Sequence, residues 1–133
     1  MRAISLMYHD VITSDDWDSS GFPGSIAAPY KMTLDDFSDH LSAIAKASAG
    51  VSTVHSHGSD SQAGQAKSAV PLYITFDDGG VSAVHPIIDS LEEHGGRGHF
   101  FITTDRIGTA GFVSQTDVRE LARRGHVVGS HSC

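Results

Sequence analysis

A single cysteine, Cys133, occurs among the 133 residues, so no disulfide can form within the chain and a disulfide-stapled fold is excluded. Long apolar runs are missing too. The opening stretch from Met1 to His9 has an apolar segment too short for a secretory signal, and no later stretch reaches the length of a membrane span. Positive charge is scarce: nine lysines and arginines face sixteen aspartates and glutamates, a net charge of −7 with neutral histidine. The acid excess is spread, with four basic against eight acidic residues in 1–70 and five against eight in 71–133. Neither half offers the basic face that a phosphate backbone demands, which argues against nucleic acid as a partner. What is present is an ordinary globular composition, 39% hydrophobic and 19% charged. A chain of this length buries roughly two-thirds of its surface, enough for one core. Histidine stands out, with nine copies, and keeps metal chemistry open.

The pattern along the chain predicts an α/β fold. Ile4 to Tyr8 reads as a short strand closed by His9-Asp10, and residues 13–29, rich in Ser, Asp, Gly and Pro, as a long loop. Thr33 reads as a helix N-cap, with Asp35 and Asp36 in the first turn, where negative charge suits the helix dipole. Leu34, Phe37, Leu41, Ile44 and Ala45 give that helix one apolar face, and it should end before Gly50. Between 47 and 70 the pattern weakens into serine, glycine and small alanines. Residues 51–54 read as a brief strand and 55–69 as a flexible loop.

The second half is more regular. Leu72 to Phe76 is a near-continuous β-prone run, the mark of a strand buried on both faces, and it stops at Asp77-Asp78-Gly79-Gly80. Val81, Val84, Ile87, Ile88 and Leu91 have helical spacing, ended by Gly95-Gly96. A strand follows at 99–102 and a helix at 117–124, carrying Val118 and Leu121 inward before Gly125. A last strand at 126–130 runs into His131. Strand–helix alternation of this kind means parallel βα units.

Such folds place their active sites at the carboxyl ends of the strands. Asp77-Asp78 lies there, after Phe76. Neighbours leaving a strand point in different directions, so one carboxylate can bind a metal while the other faces a reacting water. Capping the next helix is an alternative role for the pair, and the residues alone leave both open. His131 ends another strand; by itself it is a polar residue near the chain end, but beside Asp78 it becomes a candidate second ligand. Imidazole and carboxylate together suit Zn²⁺ or a similar divalent ion.

Thr75-Phe76-Asp77-Asp78-Gly79 followed by His131-Ser132 resembles the polysaccharide deacetylase family, carbohydrate esterase family 4, or NodB-homology domain, whose motifs are T-F-D-D-G and H-S-x-x-H or H-T-x-x-H. Gly98 to Ile102 resembles the family's A-T-F-F strand, Arg124 to Ser132 its G-H-E-I-G-x-H-S segment, and Leu6 to Val11 its opening strand. The resemblance implies a distorted (β/α) barrel, of which 1–133 would be the N-terminal part of one domain, truncated after about the fourth strand. It implies metal-dependent removal of acetyl groups from N-acetylated or O-acetylated carbohydrate, with Asp77 as catalytic base and Asp78 and His131 as metal ligands. The cofactor implied is zinc, with cobalt, nickel and manganese as alternatives, and the partner an acetylated oligo- or polysaccharide. The second motif's last histidine falls at position 135, beyond Cys133, so the third ligand and the later motifs have no counterpart. Residues 1–133 alone are therefore expected to be inactive, and a non-catalytic sugar- or partner-binding remnant is the alternative function. A dehalogenase-like phosphatase needs one residue between its two aspartates, and here they are adjacent. Exposed strand edges would favour self-association. Localisation is open: no export signal is visible, yet polymer substrates suggest the cell envelope.

Other residues divide between site and scaffold. His9, ending the first strand, is a candidate substrate-binding residue at the rim. Trp17 and Phe22 could stack on a sugar ring or pack against the fold. His55 and His57 form an H-x-H pair in the predicted loop, with a solvated loop the simpler reading. His40, His85 and His94 read as surface residues, and His99 and His126 as strand starts away from the site. Arg119, Arg123 and Arg124 read as a solvated helix face.

Overall fold

A computed structural model describes residues 3–47 and 70–133. Its elements are β1 (Ile4–Tyr8), β2 (Asp10–Ile12), β3 (Lys31–Thr33), α1 (Leu34–Ala47), β4 (Leu72–Phe76), α2 (Ile87–Glu93), β5 (His99–Thr103), α3 (Gln115–Arg123) and β6 (Val127–Ser132). The main sheet has the order β1-β4-β5-β6, and every neighbouring pair is parallel, as the strand–helix alternation predicts. The predicted strand at 51–54, the loop at 55–69 and the His55–His57 pair lie outside the described residues.

Local chemistry starts the helices. At α1 the Thr33 hydroxyl accepts from the Asp36 backbone N–H at 3.1 Å and donates to its carboxylate at 2.7 Å. At α3 a reciprocal capping box joins Ser114 and Asp117, starting the helix two residues earlier than the apolar spacing suggests. Phe37 and Leu41 of α1, Ile87, Ile88 and Leu91 of α2, and Leu121 of α3 join Ile74, Phe76, Phe100 and Ile102 in one buried cluster. The Phe76 and Phe100 rings stack at 4.8 Å, with Phe37 edge-on to Phe76.

The structure departs from several expectations and adds one pairing the sequence did not show. Tyr73 and Thr75 are only half-buried, because the described helices cover the Ile74–Phe76 face of β4 rather than both faces. The helix expected from Val81 is divided: a 3-10 turn at Val81–Ala83, then α2 from Ile87, with Pro86, which lacks an N–H, between them. Residues 10–12 and 31–33, flanking the predicted loop, pair as a small parallel sheet of β2 and β3. Ala45 is exposed.

Arg124 is also not a solvated helix residue. It donates to Asp89 at 2.8 Å and to both carboxylate oxygens of Glu92 at 2.8 and 3.0 Å. Buried His126 accepts from the Gly98 N–H on Nδ1 at 3.1 Å, so its proton sits on Nε2, 3.2 Å from Glu92. Burial holds the His126 pKa below the usual imidazole range. The Arg124 guanidinium lowers that of Glu92, and His85, then Arg124, lower that of Asp89. This network lies at the amino ends of β5 and β6, the end α/β folds use for stability.

Candidate functional site

Because the four main strands are parallel, their carboxyl ends share one edge of the sheet, and there the chain gathers its carboxylates and an imidazole. Asp77 and Asp78 leave β4, His131 lies near the end of β6, and His9 and Asp10 follow β1. His131 Nε2 is 3.5 Å from Asp77 Oδ2 and 3.7 Å from Asp78 Oδ1. The three side chains are 17%, 23% and 36% exposed for Asp77, Asp78 and His131, sheltered yet reachable by a small molecule.

Two backbone irregularities aim them. Asp78 has φ +70°, a left-handed conformation uncommon outside glycine and typical of constrained functional loops. It is pinned by the Asp77 N–H to Tyr8 O at 3.0 Å, the Thr103 N–H to Asp78 O at 3.1 Å and the Val113 N–H to Gly79 O at 3.0 Å. On β6 the register slips: Ile102 pairs with Ser130 and Thr103 with Ser132, leaving His131 as the extra residue of a bulge. A bulge re-aims the side chain it carries.

Asp10, which sequence reasoning left as a polar strand end, is 3% exposed. Its Oδ1 accepts from the hydroxyls of Ser20 at 2.6 Å and Ser82 at 2.8 Å. The Ser82 N–H donates to Ser20 Oγ at 2.9 Å, and the Val11 N–H to Ser82 Oγ at 3.2 Å. A Cβ on Gly21 or Gly80 would stand 1.9 Å from the Asp10 carboxylate, so only glycine fits at either place. Asp10 thus ties β2 to the early loop and to the segment leaving Asp78. Its partners are 10 and 72 residues away, so no local pattern marks it.

A cavity of about 510 Å³ is lined by Asp78, His9, Asp10, Phe22, Tyr30 and Lys31, among others. Lys31 is buried and donates to the carbonyls of Trp17 and Ser20. A second cavity, of about 470 Å³, shares Phe22 and Asp78 and adds Thr103, Asp105, Arg106 and Ser132. His9 therefore faces the same space as Asp78. Phe22 packs edge-on against Phe112 and under the Arg106 guanidinium, while Trp17 lines neither cavity. His40, His85 and His94 are exposed, and at the far end His99 starts β5 and His126 immediately precedes β6.

As a metal site the cluster fits in part. Donors bound tetrahedrally to one zinc stand roughly 3.4 Å apart, and Asp78 Oδ1 and His131 Nε2 are 3.7 Å apart. A catalytic zinc takes three protein ligands, and among the described residues no set of three or more His, Cys, Asp or Glu side chains is grouped to hold a metal ion.

Residues 64–133 match the family model described as polysaccharide deacetylase. No curated protein matches the chain. Solved structures do. The deacetylase PplD of Streptococcus pyogenes, in complex with acetate, aligns over 98% of this chain and 56% of its own, at 14% identity and a TM-score of 0.72. IcaB from Ammonifex degensii aligns over 98% and 52%, at 19% identity and 0.72. A polysaccharide deacetylase from Bacillus cereus aligns over 98% and 39%, at 18% identity and 0.73. At such identities the likeness shows the α/β fold, and the chain spans about half the length of the first two.

Proposed function

The chain belongs to the polysaccharide deacetylase family, and we propose from that premise that it serves metal-dependent hydrolysis of acetyl groups on N-acetylated, or O-acetylated, carbohydrate. The observation that carries the reading is the convergence of Asp77, Asp78 and His131, with His131 Nε2 at 3.5 and 3.7 Å from the two carboxylates. Asp78 and His131 would hold a divalent cation, zinc first, with cobalt, nickel or manganese as alternatives. When bound, such an ion supplies a water whose pKa is lowered toward roughly 7. Asp77, beside this pair and not itself a ligand, would act as the base that takes a proton from the water attacking the acetyl carbonyl. The carbonyl carbon–nitrogen bond then breaks, the amine departs with a proton, and acetate is released. His9 borders the substrate's side of this space. Among the described residues no helix is long and apolar enough to cross a membrane.

That only two candidate metal donors, Asp78 and His131, meet among the described residues favours a second reading, a non-catalytic sugar-binding module. The test measures acetate release from acetylated chito-oligosaccharides, and metal content, in the whole protein. Asp77→Asn should abolish turnover and keep the metal; Asp78→Asn should lose both. Equal metal loss in the two variants would contradict the division of roles, and oligosaccharide binding without acetate release would favour the second reading.

A further inference from the structure

The segment that leaves Asp78 has little stiffness of its own. Asp78 sits at φ +70°, and Gly79 and Gly80 follow it. A left-handed conformation is unfavourable for a residue with a Cβ, and two glycines add freedom rather than restraint. The conformation that aims the Asp78 carboxylate therefore depends on what grips the chain on either side. On the near side the grips are the Asp77 N–H on Tyr8 O and the Thr103 N–H on Asp78 O. On the far side a side chain takes over: the Ser82 hydroxyl, four residues on, donates to Asp10 Oδ1 at 2.8 Å.

Asp10 is built into that far side. A Cβ on Gly80 would stand 1.9 Å from Asp10 Oδ1, so the carboxylate lies against the backbone two residues past Asp78. The same oxygen holds Ser20, whose Oγ accepts from the Ser82 N–H at 2.9 Å. The two chain segments meet again at Gly111, whose carbonyl accepts from the Gly21 N–H at 2.8 Å and the Val81 N–H at 3.0 Å. Lys31, buried, fixes the early loop by donating to the carbonyls of Trp17 and Ser20. Tyr8 and Asp10 are two residues apart, so one short stretch grips Asp77 through its backbone and Ser82 through its side chain. We infer that Asp10 is a positioning residue: through Ser82 and Ser20 it holds the Asp78–Gly79 turn, and so keeps the Asp78 carboxylate within reach of His131, 3.7 Å away. It does this without touching substrate or the reacting atoms. The inference rests on the deacetylase reading and deepens it by a residue that neither motif contains.

Three variants of the whole protein test this. Ser82→Ala removes the tie to Asp10 and keeps its charge. Asp10→Asn removes the charge and keeps an acceptor oxygen. Glu92→Gln weakens the ionic network at the other end of the sheet and controls for a general loss of stability. Hydrogen exchange without metal is read at the Thr103 and Val113 amides, which donate to Asp78 O and Gly79 O, and at the Val127 amide, which donates to Gly98 O at the far end. In Ser82→Ala the first two should exchange about tenfold faster or more, the effect of losing one hydrogen bond to a charged group, with Val127 unchanged. The zinc Kd should rise by about the same factor, and kcat for acetate release should fall with KM unchanged. Asp10→Asn should shift all of these in the same direction by less. Glu92→Gln should lower the urea midpoint and leave zinc affinity and kcat as they were. In Ser82→Ala, parental exchange at Thr103 and Val113, equal acceleration at all three amides, or parental zinc affinity would each overturn the inference. Weaker zinc binding in Asp10→Asn alone would also overturn it, because Asp10 would then act by its charge. A parent protein that binds zinc and releases no acetate sinks the deacetylase reading, and exchange and zinc affinity still decide the role of Asp10. No zinc binding by the parent overturns both.

Discussion

Asp10, outside the motifs, joins β2 to Ser20 of the early loop and to Ser82 of the segment after Asp78. One oxygen accepts hydrogen bonds from two hydroxyls, and two glycines make room for the carboxylate. A hydrogen bond to a charged group contributes about 1.5–3 kcal/mol, and a buried donor left unpaired costs more than the bond itself. Asp10→Ala should therefore destabilise the protein by about 3 kcal/mol or more, read from urea unfolding. Asp10→Asn, which keeps an acceptor oxygen, should cost less. An Asp10→Ala protein as stable as the parent would show that the cluster holds nothing together. At the same scale, Asp77, Asp78 and His131 were legible in the sequence, because a strand ending in two acids and another ending in histidine leave a local mark. Asp10 and Lys31 leave none: their burial depends on chain segments remote in sequence.

Secondary structure elements show the same division between local and distant causes. Leu72–Phe76 and His99–Thr103 were readable because apolar β-formers fill strands that the helices cover. β2 and β3 were not, since three residues each carry too little periodicity and their pairing is settled across the intervening loop. The expected helix from Val81 failed because apolar spacing continues through Pro86 while the backbone hydrogen bonds cannot. The bulge at His131 was likewise invisible, being a property of the β5–β6 register. Within these elements the Phe76 side chain, stacked on Phe100 and met by Phe37 and Tyr8, supports the strand from which Asp77 leaves. Phe76→Ala should cost about 3–5 kcal/mol, the usual range for deleting a buried ring. A loss well under this range in chemical denaturation would mean that the core collapses around the gap.

For the molecule as a whole, the ends of the sheet differ: the candidate site residues Asp77, Asp78 and His131 gather at the carboxyl ends, and an ionic network lies at the amino ends of β5 and β6. The network sets a pH dependence. His126 has its pKa lowered by burial in the folded state, so the unfolded chain takes the proton first and stability falls as pH drops through the ordinary imidazole value, about 6.5. Asp89 and Glu92 have lowered pKa values, so their contribution is present above the ordinary carboxylate range and is lost as pH falls below it. Both effects have the same sign. Urea midpoints should hold steady above neutrality, then fall in two stages toward acid, and His126→Gln should flatten the first. A midpoint rising between pH 7 and pH 5 would contradict the assignment. The chain spans about half the length of the solved structures it aligns with, and at the carboxyl ends of β4 and β6 it brings His131 within 3.5 and 3.7 Å of Asp77 and Asp78. Anomalous diffraction at the zinc edge from crystals of the whole protein grown with zinc addresses that convergence most directly. A single peak within bonding distance of both Asp78 Oδ1 and His131 Nε2, with Asp77 close but unbound, is the predicted result; zinc bound elsewhere, or bound without either of those two side chains, would contradict it.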